Sequence, residues 1–189
     1  MTDKTYPTII LIANLYEHYD LQYVTATTGG GHATHSYHYL GEAVDFGSGV
    51  SNPGEVKAAG FTGQTSRDDF AKWWYQESKY LTELIHTKAG GGGWYVKNGN
   101  RVPRGYYGTT TENAHKNHNH VAIKTLKMAK ALLTVRVQQL LHVTVDGIYG
   151  PKTVAAVKIF QAKHGLVHDG VVGPKTVAAL RAAQGWKKV

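Results

Sequence analysis

The chain reads as an α+β domain with a small antiparallel sheet, followed by an all-α three-helix bundle. Three observations predict this architecture. The last third repeats itself: DGIYGPKTVAAV at 146–157 returns as DGVVGPKTVAAL at 169–180, and each copy reads as a tight turn leading into a helix. The first 123 residues instead alternate short strand-like runs with one long helical run. Charge divides at the same place: residues 1–123 hold ten Lys and Arg against eleven Asp and Glu, whereas residues 124–189 hold eleven against two.

Taken in order, the apolar IILIA near the N-terminus suits a first strand or the start of a buried helix. QYVTATTG (22–29) and GEAVDFG (41–47) have strand character. TSRDDFAKWWYQESKYLTELI (65–85) predicts a helix capped by Ser66, with Asp68 and Asp69 at its positive end and Phe70, Trp73, Trp74 and Tyr80 on its apolar side. GGGGWYVKNGNRVPRGYYG (90–108) predicts a loop and hairpin turning at Asn98-Gly99, and HNHVAI (118–123) a closing strand.

In the bundle, TVRVQQLLHV (134–143) supplies one helix with Val137, Leu140 and Leu141 apolar. The two turn-helix repeats supply the others, with Val157, Phe160 and Leu166 facing inward. The runs Val137 to Leu140 (with Gln138 and Gln139), Asp146 to Thr153, and Ala156 to Gln161 give this segment a resemblance to the three-helix peptidoglycan-binding domains found at the ends of bacterial and phage wall hydrolases. That resemblance implies a wall-binding domain over 131–189, with Asp146, Tyr149 and Asp169 as wall-contacting positions, and a linker over 124–130. The linker has neither Pro nor Gly, so close docking of the two modules is expected.

Composition narrows the function classes. With 42% hydrophobic and 18% charged residues the chain is that of a folded globular protein. It has no apolar run long enough to span a bilayer, and its N-terminus lacks the pattern of a secretory signal. Cysteine is absent, so disulfides and thiolate-bound zinc are excluded, and any metal must be held by His, Asp or Glu. The basic last third points to an anionic partner such as wall polymers. Nucleic acid is disfavoured, because no recognition helix or stacking aromatics accompany the lysines. A monomer is expected.

Histidine carries the chemistry. Six of the eleven histidines fall at 32–38 and 115–120. In SYHYLGEAVDF, a bend at Gly41 would let His38 and Asp45 converge from opposite sides of a turn. In HNH, residues 118 and 120 are two apart and share one face of a strand. One His and one Asp from the first stretch and one His from the second make a three-donor zinc site with an open fourth position, the arrangement of a hydrolytic rather than a structural metal.

Ser36-x-His38-x-x-Gly41-x-Ala43-x-Asp45, followed by a separate His-x-His, resembles the zinc peptidases of the D-alanyl-D-alanine carboxypeptidase and L-alanyl-D-glutamate endopeptidase group, which cleave peptidoglycan stem peptides. The resemblance spans about residues 20–123 and implies a zinc peptidase domain over 1–123. It implies His38, Asp45 and His120 as zinc ligands, His118 as general base and His115 as a further active-site histidine. Ser36, His35 and Trp94 are expected at the substrate, and Trp73, Trp74 and Tyr95 are further candidates for lining its groove.

Two departures matter. Asn117 stands where carboxypeptidase-like members place an acid, which leaves His118, or alternatively Glu112, as the base. TTGGGHATH (27–35) has no arginine to steady an oxyanion, leaving His32, His35 or His115 to do so. The expectation is therefore a phage endolysin-like zinc hydrolase of peptidoglycan, made in a host cytoplasm and acting at the wall. L-Ala–D-Glu is its first expected bond, ahead of D-Ala–diaminopimelate and terminal D-Ala–D-Ala. A non-catalytic wall-binding protein is the other class.

Overall fold

The computed structural model describes residues 4–16, 24–26, 36–47, 64–88 and 90–186. Six strands form one sheet in which every neighbouring pair is antiparallel, in the order β1-β2-β6-β3-β4-β5. The strands are β1 (Val24–Ala26), β2 (Ala43–Gly47), β3 (Glu83–Thr87), β4 (Gly93–Lys97), β5 (Asn100–Arg101) and β6 (His118–Ala122). The apolar N-terminal run is the helix α1 (Tyr6–Ala13), opened by Pro7 in its first turn, where a missing amide proton is harmless.

The helix expected over 65–85 is shorter. It spans Gln64–Gln76 as α2, passes through a 3-10 turn at Ser78–Tyr80, and gives way to β3. Leu81, Leu84 and Ile85 fit a helical stripe as well as a strand; pairing of β3 with both β6 and β4 decides for the strand. Position 66 lies inside α2, so Ser66 is not its cap. A short helix α3 (Thr109–Ala114), not foreseen, precedes β6. Asn98 and Gly99 turn β4 into β5 with φ of 48° and 81°, the left-handed pair that a two-residue hairpin requires.

Strand alternation divides the sheet into two faces. Val44, Phe46, Leu84, Val96 and Val121 point toward Phe70 and Trp74 of α2 and Ile9 and Ile12 of α1, forming the first core. Phe46 packs at 6.1 Å against Trp74 and at 5.4 Å against Phe70. The opposite face, through Asp45, Glu83 and His120, holds the polar residues.

The helices α4 (Leu126–Leu140), α5 (Pro151–Lys163) and α6 (Pro174–Ala183) make the bundle. Its core is Val137, Val157, Val177 and Leu180 together with Leu15 from the segment after α1. The stretch expected as a linker, 124–130, is chiefly the start of α4. Thr125 caps it by accepting from the Met128 amide at 3.2 Å, and Ala129 and Leu132 are buried in the first core. Lacking a helix breaker, the segment continues as helix and joins the two cores. Arg136 of α4 donates to the Leu15 carbonyl at 2.8 Å, and Arg181 of α6 to those of Asn14 and Tyr16 at 2.6 and 2.9 Å. Among the described residues, no helix is long and apolar enough to cross a membrane.

Candidate metal centre

The turn at 36–41 delivers the first donor. The Ser36 hydroxyl accepts from the His38 amide at 3.3 Å, and the Gly41 amide donates to the His38 carbonyl at 2.9 Å. Gly41 has φ of 71°, and a Cβ there would press on the Lys4 side chain at 2.8 Å, so glycine is required for both reasons. The chain then enters β2, where Asp45 pairs directly with His120 of β6 and the two side chains share a face.

Three atoms converge. His38 Nε2 lies 3.1 Å from Asp45 Oδ1 and 3.1 Å from His120 Nδ1, and His120 Nδ1 lies 2.9 Å from Asp45 Oδ1. All three residues are buried. A tetrahedral zinc with bonds of about 2.0–2.1 Å has donor–donor edges of about 3.3 Å, close to the spacing here. The donor set of two imidazoles and one carboxylate also suits zinc. Burial alone would raise the Asp45 carboxyl, but hydrogen bonds with His120 and His38 hold it well below the carboxylate range. Burial alone would lower His120, yet Asp45 on one side and Glu83 on the other push it up to about 9. Positive charge is thus stabilised on the His120 ring between the two carboxylates, and a metal at Nδ1 would displace a proton there.

Glu83 is the residue the sequence did not reveal. Its Oε2 lies 3.1 Å from His120 Nε2, an ion-pair contact with the imidazole whose other nitrogen faces the donor cluster. Its Oε1 accepts from Lys97 Nζ at 2.8 Å. Burial opposes charge on Glu83, but His120 and then Lys97 hold it ionised below the usual range. Lys97 stands over the rings of Tyr37 and Tyr107 at 5.3 and 5.9 Å. Burial, and next the Glu83 carboxylate, push the Tyr107 hydroxyl up. No spacing signal links Glu83 to His120; only the lateral pairing of β3 with β6 does.

Two further histidines border the cluster. His118 Nε2 lies 3.9 Å from Asp45 Oδ2, while its Nδ1 lies 2.7 Å from Asn117 Oδ1. His115 Nδ1 donates to the Thr111 carbonyl at 2.7 Å, and its ring is centred 4.5 Å from that of His118. Burial is the main cause that pushes His118 down to about 3 and His115 to about 4, so both rings are neutral near pH 7. With Nδ1 protonated and donating, each neutral ring has an unprotonated Nε2. Glu112, the alternative base, sits on α3 and accepts from the Gly105 amide at 2.6 Å, so one of its oxygens anchors the 104–107 turn.

Other expected site residues lie elsewhere. Trp94 pairs with His86 on β3, which puts it on the α2 face opposite the metal donors, where its ring meets Tyr75 at 4.9 Å. Its neighbour Tyr95 takes the donor face instead, hydrogen-bonded to Thr87 Oγ1 at 3.0 Å. Trp74 is fully buried in the first core, and Trp73 packs against Phe70 and, at 5.0 Å, the Arg136 guanidinium. Ser36 is beside the cluster but serves the turn. His32 and His35, with the glycines at 29–31, lie outside the described residues.

In the bundle, Asp146, Tyr149 and Asp169 all hold turns. Asp146 Oδ1 accepts from the Ile148 amide at 2.8 Å and from Gln138 Nε2 at 2.7 Å. Asp169 Oδ1 does the same with Val171 at 2.8 Å and Gln161 at 2.9 Å. The Tyr149 hydroxyl joins the repeats by donating to the Gly170 carbonyl at 2.7 Å.

Residues 130–180 match the family model of the peptidoglycan-binding domain. No curated protein and no solved structure matches the chain. The chain thus carries a peptidoglycan-binding domain and has a cell-wall-related role.

Proposed function

We propose that this protein is a peptidoglycan hydrolase whose α+β domain is a zinc peptidase cutting a stem-peptide amide. The observation that carries the reading is the convergence of His38 Nε2, Asp45 Oδ1 and His120 Nδ1 within 3.1 Å of one another, in a chain that also carries a wall-binding domain. The resemblance of the first motif and of the His-x-His pair to wall zinc peptidases supports it. Zinc held by these three residues would polarise the scissile carbonyl and lower the pKa of water toward neutrality.

The chain's own residues do the rest. His118, neutral and with its Nε2 unprotonated beside Asp45, takes the proton from water as the water oxygen bonds to the carbonyl carbon. The same ring returns that proton to the leaving nitrogen, so the amide becomes an acid and an amine. Glu83 and Lys97 fix the His120 ring. Asp45 balances positive charge on His118 during transfer. The exposed Tyr39 and Leu40, next to His38, and Tyr106, next to Tyr107, form the rim that meets the substrate, in place of Trp94. L-Ala–D-Glu is the first candidate bond.

Mass spectrometry of purified peptidoglycan after digestion, with and without a chelator, tests this. Chelator-sensitive new peptide termini are expected, and their identity names the bond. Sedimentation on the wall with no new termini would leave a binding protein and end the hydrolase reading.

A further inference from the structure

The base histidine of the proposed reaction sits where the sheet comes apart. On one side β6 pairs with β2 along its whole length, from Ala122 to His118. On the other, its ladder with β3 ends at Ile85–His120. The same register, continued, would set Thr87 opposite His118. There the strands separate, and the carbonyls of Thr87 and His118 lose the ladder partners that interior backbone needs.

Arg67 of α2 fills that fork. Its Nη2 donates to the Thr87 carbonyl at 3.0 Å and its Nη1 to the His118 carbonyl at 3.1 Å. One guanidinium thus bridges the two residues that the register would have paired. The Thr87 amide turns to the His115 carbonyl at 3.2 Å, tying the preceding loop into the same fork. Arg67 is fully buried. Burial lowers its pKa to about 10, which leaves it charged near neutrality.

A chain of contacts compensates this charge. Nη1 donates to His86 Nδ1 at 3.0 Å, and because an arginine only donates, the His86 proton must lie on Nε2. From there it is given to Asp68 Oδ1 at 2.8 Å. Asn119 secures the other end, donating from Nδ2 to the Arg67 carbonyl at 3.2 Å. Burying a guanidinium is expensive, and two more ladder pairs would have satisfied the same carbonyls without it. The arrangement gains something a ladder does not give: a main-chain position for residue 118 set by α2 rather than by β3. The metal donors are independent of it, since Asp45 and His120 lie on the paired part of the sheet.

We propose that Arg67 is a positioning residue for His118: through the His118 carbonyl it fixes where the base stands relative to the metal donors, while leaving those donors untouched. This rests on the reading of His118 as the base. The test compares Arg67→Lys, whose single ammonium cannot span the fork, with His118→Ala and the double variant, all zinc-loaded. Arg67→Lys is expected to retain one zinc and to lose kcat by about 10²-fold, the usual consequence of misplacing a catalytic group by an ångström. KM should hold, and the double variant should be no slower than His118→Ala alone. Losses that multiply, or zinc lost in step with activity, would overturn the proposal.

A second readout does not depend on turnover. In histidine-ring 1H–15N correlation spectra of the zinc-loaded protein, Arg67→Lys should move the His118 resonances and leave those of His38 and His120 in place. Unmoved His118 resonances would refute the positioning role. Moved ones in a protein that cuts no peptidoglycan would sustain it while the hydrolase reading fails. Asp68→Asn, which removes the far carboxylate and keeps the guanidinium, decides the matter if Arg67→Lys does not fold: a smaller shift of the same resonances supports the proposal, and none overturns it.

Discussion

Two polar clusters in this molecule, each centred on buried side chains, differ in how their partners are arranged. In the bundle, Gln138 donates to Asp146, Thr153 and the Ile148 carbonyl, and its own carbonyl oxygen accepts from the Asp146 and Gly147 amides. Gln161 repeats the pattern with Asp169, Thr176, the Val171 carbonyl and the Gly170 amide. Donors meet acceptors, partners are close in sequence, and the motif occurs twice. On the sheet, His38, Asp45 and His120 bring three ligand atoms to one point from a turn and two strands, and among the described residues they form a single such group. A cluster that closes on itself is a fastening; a cluster whose ligand atoms converge on one point could hold a metal ion.

The sharpest way to break that contrast is at His120. His120→Ala should abolish zinc binding and turnover together, whereas His118→Ala should keep the metal, read by elemental analysis, and lose turnover by about 10²- to 10⁴-fold. Equal metal loss in both would erase the distinction between donor and base. Next in size is Leu15→Ala, which removes a fully buried side chain from the bundle's core and should cost about 2–5 kcal/mol by denaturant unfolding. Because Leu15 belongs to the N-terminal chain, tryptophan fluorescence from Trp73 and Trp74 and far-UV circular dichroism should shift together; separate transitions would mean that the halves unfold independently.

Gln161→Ala tests the fastening. It strands the Gly170 amide and part of Asp169, and about 1–3 kcal/mol of lost stability is expected with zinc content unchanged. Glu83→Gln should weaken zinc affinity by about 10- to 100-fold in a competitive chelator titration, since an amide orients His120 less firmly than a carboxylate. The smallest effect is in pH. Burial depresses His118 to about 3, and the base works only when neutral. As pH falls from 7 to 5 at saturating zinc, kcat should therefore show no protonation step near the ordinary histidine value of about 6.5. A step there would mean that the ring titrates as if exposed.

Much of the donor set was legible because its parts obey short-range rules. The spacing of His38, Gly41 and Asp45 marks a turn leading into a strand, and the alternation of His118 and His120 puts both on one face. The repeat likewise announced the bundle. What the sequence hid was lateral. Glu83 reaches His120 only because β3 lies beside β6, and its strand was masked by an apolar run that reads equally as helix. Trp94 was misplaced by one residue of alternation, which moves a side chain to the other face. The place of Arg67 follows from where a ladder stops, and no local pattern encodes that. The expected linker failed for a simpler reason, as nothing in 124–130 breaks a helix.

The continuity of α4 has a mechanical consequence. Its 15 residues, rising about 1.5 Å each, form a strut of about 22 Å whose first half is embedded in one core and whose second half is embedded in the other. An enzyme on a flexible tether sweeps a volume around its anchor; one joined by a strut has the fixed span of a locked pair of compasses. On the proposed hydrolase reading, the molecule seated on the wall addresses bonds at one radius and one bearing, and it reaches the next bond by letting go and seating again.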